Sequence, residues 1–172
     1  MFLIAASGVI DFDLQLFIDV ATVLDGHIFA VTDGSVAFDI ADQMGLFDRA
    51  EHACGLGFVA CQAYLASTYS DVAVTKVQAL SLGPDHSFGG KAVAIINAAA
   101  NFWKHQAEWQ LQPNHPGRRR TERTFDEVDF PVNSEYPLVG VLTELTTPRE
   151  ARLLSLVPIL ESWRGALSAS VG

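Results

Sequence analysis

Apolar side chains recur every three or four residues over long stretches of this chain, separated by shorter polar stretches rich in glycine and proline, a pattern that predicts helices joined by loops. From Phe12 the spacing Leu14, Ile18, Ala21, Leu24, Ile28, Val31 is helical, with Asp11 or Asp13 placed where an N-cap or first-turn acid belongs. The far end reads two ways. HIFAVT and SVAFDI flank Asp33-Gly34 as the arms of a short hairpin would, whereas Ser35 can cap a short helix with Val36, Ile40 and Met44 on one face and Gly45 at its end. Helix-turn-helix is preferred, because an isolated hairpin is only marginally stable and no later segment reads clearly as a partner strand.

Residues 48–69, with Asp48 as a cap, are apolar almost all round the helical wheel, which predicts a centrally buried helix. Ala53, Gly57 and Cys61 form a small-residue ridge on it, and the alanine-rich segment Ala92–Gln110 is the natural partner for that ridge. Between them, VAVTKVQAL is a short strand or helix, followed by a turn-rich stretch holding His86. Residues 111–134 hold three of the seven prolines and predict a long loop. A short helix is expected from Asn133 or Ser134 through Leu145. Thr147-Pro148-Arg149-Glu150 then reads as a capping box for a last helix with Leu153, Leu154, Val157, Leu160, Trp163 and Leu167 buried, kinked at Pro158. The expected product is one all-α domain over 1–172, a compact bundle of about five helices.

Composition supports a packed core: 172 residues, 49% of them hydrophobic. The first residues lack the positive region of a signal peptide, and no uncharged apolar run reaches the roughly 18 residues that span a bilayer, so a cytoplasmic protein with no membrane partner is expected. Cys54 and Cys61, seven apart on one predicted helix, are separated by about 10 Å along its axis and are expected to be buried, unpaired thiols. The net charge of −9 is concentrated: residues 1–51 carry nine acidic side chains and only Arg49. This disfavours nonspecific nucleic-acid binding by the whole surface and suggests a basic protein partner, with Asp19, Asp25 and Asp39 as candidate contacts.

Candidate chemistry concentrates in Ala92–Gln110. Ala92, Ile95, Ile96, Ala99, Phe102, Trp103 and Trp109 form the apolar face, and Asn97, Asn101, Lys104 and Glu108 a polar stripe. Helical spacing stacks Asn97, Asn101 and His105 along one ridge beside Lys104, a set suited to binding a phosphate or moving a proton. The plainer alternative is a solvated face with a Lys104–Glu108 pair. Arg118, Arg119, Arg120 and Arg123 form the only basic cluster, able to grip phosphates but interleaved with Glu122, Asp126, Glu127 and Asp129. His52 and Cys54 point in different directions on a helix and form no chelate, and no phosphate-binding or dinucleotide-binding glycine motif occurs, so no metal or cofactor is expected.

The run Asn101-Phe-Trp-Lys-His105, on a late helix of a small all-α chain, resembles the arginine–histidine signature of HEPN domains, helical bundles of toxin-antitoxin and anti-phage systems. His105 matches the family's histidine and Asn101 the polar residue after its arginine, while Ala98, Ala99 and Ala100 stand where the arginine would be. The resemblance implies a homodimeric, HEPN-like protein without the intact ribonuclease motif. It would engage RNA or another phosphate-bearing ligand through His105, Asn101, Asn97, Lys104, Arg118, Arg119 and Arg120.

Overall fold

A computed structural model describes residues 2–5, 8–32, 34–87, 89–127, 134–146 and 148–171. The chain is all-α apart from an antiparallel hairpin, β1 (Phe2–Ala5) and β2 (Gly8–Asp11), in which Phe2 pairs with Asp11 and Ala5 with Gly8. Asp11 closes the hairpin and starts α1 (Phe12–Thr32), its Oδ1 accepting from the Leu14 N–H at 2.9 Å, so it is the expected N-cap. Helix α1 runs through His27–Thr32, so the arm of a hairpin at Asp33-Gly34 is absent there. A short α2 (Phe38–Gln43) follows, and helix-turn-helix holds, Asp33 itself lying outside the described residues.

Gly45, at φ 63°, turns the chain into α3 (Leu46–Asp71), the central helix, which packs against α1 on one side and α5 (Ala92–Leu111) on another. Ala53, Cys54, Phe58, Cys61 and Leu65 of α3 are all buried, which is why its sequence is apolar all round. The small-residue contact differs from the expected one. A Cβ on Gly57 would collide with Leu153, and a Cβ on Gly55 with the Trp103 ring of α5, so the glycine facing α5 is Gly55.

One segment resolves between its two expected forms and another departs from the sequence pattern. VAVTKVQAL yields α4 (Lys76–Leu80), started by a capping box between Thr75 and Gln78. Within the expected loop at 111–134 lies α6 (Pro116–Asp126), with Pro116 in its first turn and His115 Nδ1 accepting from the Gly117 N–H at 3.1 Å. Then come α7 (Pro137–Leu145), a single 3-10 turn at Leu153–Leu156, and α8 (Val157–Val171). The proposed helix start at Asn133 and the Thr147 cap fall outside the described residues. Thr146 Oγ1 accepts from the Glu150 N–H at 3.0 Å, and Pro158 sits in the first turn of α8, where its missing N–H breaks nothing, rather than kinking a longer helix.

Two carboxylates lock the later helices onto the long ones. Glu51 of α3 accepts from the Leu138 and Val139 N–H groups (2.8 and 2.9 Å), and Asp25 of α1 from those of Leu153 and Leu154 (2.7 and 3.0 Å). Each carboxylate satisfies orphan donors at the start of another helical segment. At the other end of the bundle Asp11 also accepts from Arg164 of α8 (2.6 Å) and from the Tyr64 hydroxyl (2.8 Å), an ion pair with side chains 5% and 12% exposed.

Among the described residues one helix, Phe12–Val31, is long and apolar enough to cross a membrane by length and composition, with a mean hydropathy of 1.5. It is not an uncharged run, and the expectation that no uncharged run of that length occurs stands. Asp13, Asp19 and Asp25 lie within it, and its Leu14, Phe17, Ala21 and Ile28 are buried in the bundle core.

Candidate functional site

Helix α5 begins at Ala92 as its apolar periodicity predicts, and its inward face of Val93, Ile95, Ile96, Ala99 and Ala100 is buried. The opposite face carries Asn97, Asn101 and Lys104, and one side chain from α3 organises all three. Gln62 Nε2 donates to Asn97 Oδ1 at 2.8 Å and Asn101 Oδ1 at 3.0 Å, while its Oε1 accepts from Lys104 Nζ at 2.5 Å. An amide offers donors and an acceptor at once, and here both ends are used to orient the polar ridge.

Beside this network a groove of about 260 Å³ opens between α3, α4 and α5, with Val59, Leu65 and Leu80 among its apolar walls and Gln62, Lys76 and Lys104 at its polar side. Burial and then repulsion from Lys104 and Arg120 hold the Lys76 ammonium below the ordinary lysine range. Lys76 of α4 therefore feels the charges of Lys104 on α5 and Arg120 on α6. Several other cations are paired: Lys91 with Asp85 (2.7 Å), Arg118 with Glu122 (2.6 Å), Arg149 with Glu144 (2.8 Å). Among the described residues no carboxylate pairs with Lys76, Lys104 or Arg120.

The sequence-predicted set is thus divided. Asn97, Asn101 and Lys104 share the Gln62 network. His105 does not join it: its Nδ1 lies 3.0 Å from Glu108 Oε2, and its ring stacks on Trp109 (centroids 5.7 Å), which stacks on His115 (6.3 Å). Glu108 therefore pairs with His105 and not with Lys104. Of the arginines, Arg118 is tied to Glu122 and to the Trp109 carbonyl (3.2 Å), Arg119 donates to Asn114 Oδ1 (3.1 Å), and Arg120 is the one whose charge reaches Lys76. Ala98, Ala99 and Ala100 are buried in the core.

Gln62 and Lys76 were not singled out in the sequence. The available signal for Gln62 was a lone amide inside the otherwise apolar run VACQAYLAS; for Lys76 there was none beyond its charge. Cys54 and Cys61 are free and buried, and burial pushes both thiols up, so neither offers a ready thiolate. Among the described residues no group of three or more His, Cys, Asp or Glu side chains gathers as metal ligands do.

Fold and groove together define an all-α helical protein with a cationic, apolar-walled cleft. A scan against protein-family models, a search of curated proteins and a search of solved structures each returned no match.

Proposed function

We propose that this chain is a HEPN-like helical protein, without the intact ribonuclease motif, that binds RNA through the groove between α3, α4 and α5. Lys76, Lys104 and Arg120 contact the phosphates, and Gln62, fixed by Asn97 and Asn101, offers hydrogen bonds at the same rim. The observation that supports this best is that Lys76 and Lys104 line the groove, with Arg120 near enough for its charge to reach Lys76 and no carboxylate paired with any of the three among the described residues. Like charges held together destabilise the free protein, and a bound anion relieves that repulsion. The apolar walls suit the faces of unpaired bases, which places single-stranded RNA ahead of a duplex. His105, in the Trp109–His115 stack, lies outside the groove lining and serves the α5–α6 contact.

Binding of a short single-stranded RNA is expected to weaken as salt rises. Lys76→Gln and Lys104→Gln are each expected to reduce the slope of log affinity against log salt by about 0.7, the value for one phosphate contact on a single strand. Arg118→Gln, which removes a paired charge, leaves the slope unchanged. No binding at low salt, or equal slopes for all variants, refutes the reading.

A further inference from the structure

Helix α2 is six residues long and buries only Ala41, too short to hold itself together without tertiary support. Phe38 stands on one flank of it, 72% exposed, and Ile40 and Met44, also exposed, lie on the other. On the Phe38 flank a row of aromatic rings crosses to the start of α3 and on to the start of α7. The Phe38 centroid is 4.9 Å from that of Phe47, which is 5.8 Å from that of Tyr136. Phe47 and Tyr136 are half-buried, so Phe38 is the outer end of the row.

Carboxylates gather at the same flank. Burial, and then the charges of Glu135, Asp48 and Asp42, hold the Tyr136 hydroxyl above the ordinary tyrosine range, which puts all three acids around the inner end of the row. Asp42 also falls beside Phe38 on the α2 wheel, about 40° away. All three acids are exposed, and among the described residues none of them pairs with a Lys or Arg. Arg49, the neighbouring cation in sequence, projects about 200° round α3 from Phe47 and so points away from the row.

We infer that the row of Phe38, Phe47 and Tyr136 is a docking surface for an arginine-bearing segment of another protein. Charge selects that occupant. Three unpaired carboxylates repel a second copy of the same face, an anionic bilayer and a nucleic acid alike, and they attract a guanidinium. The rings favour arginine over lysine, because a guanidinium plane stacks on an aromatic face while its N–H groups reach the carboxylates beside it. Of the acids expected to meet a basic partner, Asp39 lies on this helix, whereas Asp25 is occupied by the Leu153 and Leu154 N–H groups.

Isothermal titration calorimetry of the full chain at low salt tests this with a short peptide of alternating arginine and leucine pairs and with its lysine and glutamate counterparts. Far-ultraviolet circular dichroism checks that each variant keeps its fold. The arginine peptide is expected to bind, the lysine peptide to bind severalfold more weakly and the glutamate peptide not to bind. Phe38→Ser is expected to raise the Kd about tenfold. Asp42→Asn combined with Asp48→Asn weakens binding and flattens its salt dependence. Met44→Ser, on the other flank, leaves the Kd unchanged. Absence of binding, equal binding of the lysine peptide, or a Kd indifferent to Phe38→Ser or to the paired asparagine variant overturns the inference. So does a loss in Met44→Ser equal to that in Phe38→Ser, and so does self-association or adhesion to anionic vesicles that Phe38→Ser abolishes. None of these residues lines the RNA groove, so RNA titrations are expected to be the same in every variant, and each reading can fail without the other.

Discussion

At the residue scale, single side chains that reach across the bundle hold it together. Glu51 illustrates the balance. Burial raises its proton affinity above the ordinary carboxyl value, and the Leu138 and Val139 N–H bonds work in the opposite direction without cancelling it. The folded state therefore binds this proton more tightly than the unfolded chain does. The stability tied to that difference is fully present below the usual glutamate range near about pH 4.3 and is lost as pH rises through the higher folded-state value. Glu51→Ala leaves two helix N–H groups unmatched and is expected to lower stability by about 1–3 kcal/mol. Urea unfolding of both proteins from pH 4 to pH 8 checks the sign: the cost of the substitution is expected to shrink as pH rises, and a growing cost contradicts the placement. Gln62 acts at the same scale for the candidate site, and a lone glutamine in an apolar helix does not announce which helix it will meet. That is why Asn97, Asn101 and Lys104 were legible as a ridge while the residue that unites them was not.

At the scale of elements, helices with a strong apolar stripe were readable and those without one were not. Ala92–Gln110 was expected and Ala92–Leu111 is observed, because the small, buried alanines leave only one way for that segment to pack. Helix α6 reads as loop in the sequence because PGRRRTERTFD buries only Thr121 and Phe125, too few to set a period; its proline and the His115 cap carry the start instead. The amino-terminal hairpin was missed for the opposite reason, since a continuous apolar run has no alternation to reveal a strand. Contacts between elements set the tolerance to substitution. Gly57→Ala gains about 1 kcal/mol of helix propensity but drives a methyl group into the fully buried Leu153. A net loss of roughly 1–3 kcal/mol is expected in chemical denaturation, from overpacking; a stabilised variant would show that the α3 contact with the 3-10 turn is looser than described. Arg164→Met strands the buried Asp11 carboxylate and is expected to cost about 3–5 kcal/mol. A thermal shift no larger than that of an exposed salt-bridge variant such as Arg149→Met would contradict the burial of that pair.

At the scale of the whole molecule, the charges are unevenly placed. The acids of residues 1–51 are partly consumed as caps, by Asp11, Asp25 and Glu51, and Asp39, Asp42 and Asp48 remain exposed around the start of α3. The net charge of −9 thus hides a local cationic groove between the successive helices α3, α4 and α5, where Lys76 and Lys104 meet. Of the arginine cluster, Arg120 is the one whose charge reaches Lys76, and His105 stacks on Trp109. The measurement that bears most directly on the groove is a single-stranded RNA titration followed by amide and side-chain NMR at low salt. Shifts are expected to concentrate at Lys76, Lys104, Gln62, Asn97 and Arg120, and to disappear in the Lys76→Gln, Lys104→Gln double variant. Shifts centred on Trp109 and Arg118, or undiminished in that double variant, would contradict the groove as the RNA site.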